Sequence, residues 1–289
     1  MPYLLLGKDS LKKKRCLRFL HIAKHSHNVG EAALTKGLIT TLKEIALTEF
    51  DRSVEVSYID RKNFVSYRIG GDSKAPKFRI DSEFLSKCDS LYDAVVIGGG
   101  GVFIEGEYRN LGGMNLDGDI EAIKATNIPL MFYGLGFNLP SNDSQFLYKD
   151  ELEELITVCQ TPRKSLSFRN DSSLRRVADL LNLSVSQLLA TGVREVPDAG
   201  FFYKSALEGC VERGGELTVG LQLAGDRLDT RYAGNTLRKS LDRIRDGLIL
   251  AFGFEEIELV LLPHIPADLY CCSEFINSCS EVSWGDGSM

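Results

Sequence analysis

The chain has 289 residues, 44% apolar and 26% charged, which suits one large globular domain or two of ordinary size. The formal net charge of −6 argues against nucleic-acid binding, and the one basic run, Lys12 to Arg15, reads as part of a solvated tail. The apolar run Tyr3 to Leu6 is too short for a signal peptide, and no apolar segment approaches the roughly 20 residues that span a bilayer, so a soluble, cytoplasmic protein is expected. Seven scattered cysteines, an odd number with no Cys-x-x-Cys pair, point to reduced thiols and against a disulfide framework or a zinc site. The four histidines offer no pair at helical spacing inside a helix, so no metal is expected.

Residues 1–17 read as a polar lead-in. Arg18 to Lys24 reads as the first strand and His25 to Gly30 as the loop after it. Glu31 to Thr48 carries a helical stripe at Ala33, Leu34, Leu38, Leu42, Ile45 and Ala46, with Glu31 in the first turn, where negative charge suits the helix dipole. Val54 to Ile59 alternates as a second strand, and residues 60–80, with Gly70-Gly71-Asp72 and Pro76, read mostly as loop. The β-branched run Ala94 to Ile97 enters Gly98-Gly99-Gly100-Gly101 and is expected to end there, with surface loop over 104–116.

A helix follows over Asp117 to Thr126, then a strand over Pro129 to Tyr133 that ends in Gly134-Leu135-Gly136-Phe137-Asn138. Ser144 to Cys159 is an amphipathic helix, Ser165 to Phe168 a strand, and Ser172 to Leu181 a helix capped by Asn170 or Asp171. After a short helix over Ser184 to Ala190, Val193 to Val196 leads into Pro197-Asp198-Ala199-Gly200-Phe201. Beyond Gly214-Gly215 come a strand (Leu217 to Leu223), a helix (Thr236 to Phe252), a strand (Ile257 to Leu262) and a helix (Leu269 to Ser278). Strands alternating with helices predict α/β architecture with parallel sheets. The domain change is placed before Gly214-Gly215: residues 18–192 are assigned to an N-terminal domain and 193–289 to a shorter C-terminal one.

The glycine run fits a loop of N–H groups that cradles an anion, and equally a tight strand-to-loop turn. It lacks the third-glycine spacing of the dinucleotide fingerprint and the Lys-Ser/Thr pair of a Walker loop. The informative feature is placement: Asn28 and Gly30, Gly98 to Gly101, Gly134 to Asn138, Arg169, Asp198, and His264 with Asp268 all follow the ends of expected strands. In open α/β sheets ligands bind outside those ends. Arg169 suits a carboxylate or phosphate at the start of a capped helix, although an ion pair with Asp171 is the plainer reading. Ser172 can cap or donate, and Asp198 after Pro197 reads equally as a turn residue. His264 lies between two prolines, with Asp268 placed to hold its imidazole.

In this order and spacing the motifs resemble the polysaccharide pyruvyl transferase family, over roughly residues 18–270. Its Asn-x-Gly-Asp segment is met by Asn28-Val29-Gly30-Glu31, with Glu replacing Asp, and its Asp-x-x-x-x-Gly-Gly-Gly strand end by Asp93 through Gly100. Gly134-Leu135-Gly136, Ser167-Phe168-Arg169-Asn170-Asp171-Ser172-Ser173, Pro197-Asp198-Ala199-Gly200-Phe201 and the pair His264 and Asp268 match the later motifs. The family's further Arg-x-His segment has no counterpart among the 25 residues after His264. The resemblance implies a GT-B-like fold, two Rossmann-like domains facing a cleft. It also implies transfer of the pyruvyl group of phosphoenolpyruvate to a sugar of a cell-surface glycan, as a ketal and with no cofactor. The acceptor would be a saccharide, free or lipid-linked. Arg169, His264 and Glu31 become the catalytic candidates. Asn28, Gly30, Gly98 to Gly101, Gly134, Gly136, Asn138, Ser172, Asp198 and Asp268 become the substrate-binding ones. Two alternatives stay open: a GT-B glycosyltransferase using a nucleotide-sugar, which the same two-domain crevice would suit, and a non-catalytic glycan-binding relative, which the missing Arg-x-His segment would suit.

Overall fold

The computed structural model describes residues 16–24, 29–64, 67–69, 72–74, 78–104, 110–138, 146–203, 217–225, 236–252, 257–263 and 266–280. Asn28, His264, the first 15 residues and the Gly214-Gly215 break therefore lie outside the described residues. By its contacts the chain divides into two units, with the division between residues 204 and 205.

The first unit is built on a parallel sheet of six strands: β1 (Cys16–Ala23), β2 (Ser53–Asp60), β5 (Ala94–Ile104), β6 (Leu130–Asn138), β7 (Lys164–Arg169) and β8 (Arg194–Val196). Their spatial order is β2-β1-β5-β6-β7-β8. A short antiparallel pair, β3 (Tyr67–Ile69) and β4 (Asp72–Lys74), lies between β2 and β5 in sequence, within the stretch expected to be loop. The helices are α1 (Val29–Phe50), α2 (Ser82–Leu91), α3 (Ile120–Ala125), α4 (Lys149–Val158), α5 (Ser173–Leu180) and α6 (Val185–Ala190).

Side chains alternate across the strands. Leu17, Phe19, Ala94 and Val96 pack with Leu34, Leu38 and Ala46 of α1. Leu20, Ile22, Val95 and Ile97 face the other way and pack with α2 to α6 through Leu85, Ile123, Leu155, Val177 and Leu188. The sheet is thus wound in both directions from β1 and β5, and the junction of those strands is its switch point.

Three expectations are corrected. β5 does not end at Gly98: it continues to Ile104, pairing Gly98 with Tyr133, Gly100 with Leu135 and Gly101 with Gly136. Gly98, Gly99 and Gly100 hold φ of 125°, 80° and 123°, which L side chains rarely adopt, and at Gly98 the missing side chain also lets the neighbouring strand approach closely. A Cβ on Gly98 would stand 2.5 Å from the Tyr133 carbonyl oxygen. β6 likewise runs on through Gly134 and Gly136 to Asn138. Finally, residues 194–196, assigned from sequence to the C-terminal domain, hydrogen-bond to β7 and complete the first sheet.

The second unit holds two parallel strands, β9 (Leu217–Leu221) and β10 (Ile257–Leu261), with α7 (Leu237–Phe252) and α8 (Asp268–Ser280). Leu223, Leu241, Cys271 and Phe275 form its core. Arg245 of α7 donates to the Ser278 carbonyl of α8 at 2.9 Å.

Candidate functional site

Two polar clusters stand at the carboxyl edge of the six-stranded sheet. The first gathers at the switch point. Glu31, in the first turn of α1, lies 3.6 Å from the Lys24 ammonium that follows β1. A Cβ on Gly100 would be 3.8 Å from the same Glu31 Oε1, so the glycine run of β5 faces this carboxylate. Burial pushes the Glu31 carboxyl up, while Lys24 and Arg61 pull it back and Asp60 adds a smaller upward push.

Two buried side chains hold the backbone of the glycine run. The His21 ring, 1% exposed, donates from Nε2 to the Gly98 carbonyl at 3.0 Å, so that nitrogen carries the proton. Arg61, 4% exposed in the 3-10 turn Arg61–Phe64 after β2, donates from Nη1 to the Gly101 carbonyl at 2.7 Å. Both carbonyls bracket the residues with positive φ and fix their peptide planes.

The second cluster centres on Arg169 at the end of β7. Its Nε and Nη2 donate to Asp171 Oδ2 at 2.7 and 2.5 Å, and its Nη1 donates to Asp198 Oδ2 at 3.3 Å. Asp198 accepts from the Gly200 amide at 2.8 Å through its other oxygen, capping the 3-10 turn Ala199–Phe202. Asp171 accepts from the Ser173 hydroxyl, and that hydroxyl accepts from the Phe137 amide at 2.7 Å. Burial would raise the Asp171 carboxyl, but the bonds from Ser173 and Arg169 outweigh it and hold Asp171 below its ordinary value. Tyr133 on β6 is pushed up by burial and then by Asp198.

The structure therefore brings together Gly30, Glu31, Gly98 to Gly101, Gly134, Gly136, Arg169 and Asp198 at one sheet edge. Asn138 ends β6 at that edge. Ser172, at φ 73°, is exposed and makes no capping bond; Asp171 binds the Ser173 amide instead. The glycines are strand residues rather than a loop after the strand, which corrects the loop geometry expected of them. Asp268 belongs to the second unit, where its buried carboxylate accepts from the Gly225 amide at 2.7 Å. That contact is tight: a Cβ on Gly225 would fall 2.0 Å from the Ala267 carbonyl oxygen.

Sequence reasoning missed Lys24, Arg61 and His21. Arg61 follows a strand end, so the placement rule applied to every strand would have found it. His21 is a lone polar residue within the otherwise apolar run Phe19 to Ala23. Among the described residues no three His, Cys, Asp or Glu side chains form a group that could hold a metal ion. No helix among them is long and apolar enough to cross a membrane.

Fold and site define an α/β protein with a Rossmann-like parallel sheet and a charged carboxyl edge. No family model matches the chain, and no curated protein matches it in sequence.

Proposed function

We propose that the chain is a pyruvyl transferase that moves the pyruvyl group of phosphoenolpyruvate onto a sugar of a cell-surface glycan. One observation carries the reading. The motifs by which the sequence resembles polysaccharide pyruvyl transferases lie in chain order within the carboxyl-terminal parts of adjacent strands of one sheet or just after them. Gly30 and Glu31 follow β1, the Gly98 run is in β5, Gly134 and Gly136 are in β6, Arg169 ends β7, and Asp198 follows β8. That edge is where such sheets bind ligands.

The donor carries a carboxylate and a phosphate, and its reaction needs an acid for the enol methylene and a base for the attacking hydroxyl. Glu31, half-buried beside Lys24, is the acid–base group of the first unit in this reading. Arg169 is held flat by two carboxylates, and one N–H on each terminal nitrogen is left for the donor. Asp171 and Asp198 offset its charge, so it orients the donor more than it attracts it. A GT-B-like pair of domains and a part for His264 of the second unit belong to the same proposal.

Phosphate release from phosphoenolpyruvate, measured over a panel of saccharide acceptors, tests it. The expected result is release that requires both substrates and falls about 100-fold in Arg169→Gln, a loss of roughly 2.7 kcal/mol. No release with any acceptor, together with thermal stabilisation by UDP or GDP and none by phosphoenolpyruvate, would point to the glycosyltransferase reading.

A further inference from the structure

We infer that the switch point between β1 and β5 is an anion site in which Lys24 exchanges its partner Glu31 for the bound anion and Glu31 takes up a proton. The identity of the anion as phosphoenolpyruvate rests on the transferase reading above; the site itself does not.

The geometry is specific. Among the described residues a Cβ on Gly99 would meet nothing nearer than Leu34 Cβ at 3.9 Å, and one on Gly100 only Glu31 and Leu34 at 3.8 and 3.9 Å. None of the described residues packs against these glycines closely enough to exclude a methyl group; their φ of 80° and 123° is what calls for glycine, and at Gly100 the backbone of β5 faces the Glu31 carboxylate. Lys24 is 43% exposed along its side chain and Glu31 13%, so the cation can turn to a ligand while the carboxylate stays put.

Charge decides what must follow. Among the described residues the charged groups that act on Glu31 are Lys24 after β1, Asp60 at the end of β2 and Arg61 in the turn beyond it. Asp60 also accepts from the Lys62 amide at 2.9 Å and lies 3.7 Å from the Lys62 ammonium. Among the described residues Lys24, Arg61 and the Lys62 that pairs with Asp60 exceed Asp60 and an ionised Glu31 by one charge, yet the carboxylate nearest the glycines is that of Glu31. An anion entering beside Gly100 would meet that carboxylate. Burial already favours the protonated form of Glu31, so uptake of one proton from solvent by its carboxylate removes the repulsion. Lys24, Arg61 and Lys62 then exceed Asp60 by two charges, and no other bond forms or breaks. In the transferase reading, arrival of the donor charges the acid that protonates its methylene.

Calorimetric titration of the full chain with sulfate, whose charge is fixed between about pH 5 and about pH 8, tests this, with phosphoenolpyruvate as second ligand. Runs in two buffers of different ionisation enthalpy count the protons. Sulfate affinity should fall by up to about tenfold per pH unit with uptake approaching one proton, and both effects should vanish in Glu31→Gln. Lys24→Gln should weaken both ligands about tenfold or more. A slope that persists in Glu31→Gln belongs to another group and overturns the inference. So does phosphoenolpyruvate binding that survives Lys24→Gln but is lost in Arg169→Gln, which leaves the transferase reading standing. Proton-linked sulfate binding without phosphoenolpyruvate binding supports the site and overturns that reading, and no binding of either ligand overturns both.

Discussion

A Cβ on Gly136 would stand 2.8 Å from Nη2 of Arg169 and 3.1 Å from the Gly100 carbonyl oxygen. The guanidinium at the end of β7 thus occupies room that a glycine on β6 leaves. Gly136→Ala is expected to displace Arg169 and to cost roughly 1–3 kcal/mol, the usual range for overpacking. Part of that cost should disappear in the background Arg169→Ala. A double-mutant cycle by urea unfolding checks this, and simple additivity would contradict it.

Gly98 and Gly99 separate space from backbone strain. Alanine at 98 meets the Tyr133 carbonyl at 2.5 Å in addition to an unfavourable φ of 125°. Among the described residues alanine at 99 meets only Leu34 at 3.9 Å and bears the φ of 80° alone. Gly99→Ala should therefore cost about 1–3 kcal/mol and Gly98→Ala clearly more. Equal losses in thermal unfolding would show that the two positions are not distinguished by packing.

Asp171 has an acid signature. Its folded pKa lies below the ordinary 3.8, so its contribution to stability is present above that pH and is lost as pH falls through the folded value. Asp171→Asn should lower stability at neutral pH and flatten the acid limb of the curve below about pH 4. An unchanged acid limb in chemical unfolding between pH 2 and about pH 6 would contradict the pairing with Arg169 and Ser173.

The fold was legible where pattern and packing agree. Val54 to Ile59 falls inside β2, because its alternation is that of a half-buried strand. The glycine run was misread, because glycine ends strands by local propensity while pairing with β6 keeps it in the ladder. The helix α2 was passed over although Asp81 caps it and Leu85 and Cys88 are buried on one face. The Arg169–Asp171 pair was weighed from sequence and is present, but the second partner, Asp198, is 29 residues away and only the fold brings it close. The bond from His21 to the Gly98 carbonyl spans 77 residues and has no local signal.

The thiols offer an independent check of the core. Burial pushes Cys88 and Cys159 up to about 12. In the native chain at about pH 8 both should resist a disulfide reagent and should react once denaturant is added. Rapid native reaction at either residue, located by peptide mapping, would contradict the packing of α2 or of the turn after α4.

The most direct measurement is titration of the purified chain with phosphoenolpyruvate beside Arg169→Gln, with the fold of both verified by circular dichroism. Micromolar binding to the wild type that is lost in the variant is the predicted result. A folded wild type that does not bind, or a variant that binds equally well, would contradict the assignment of the donor to this sheet edge.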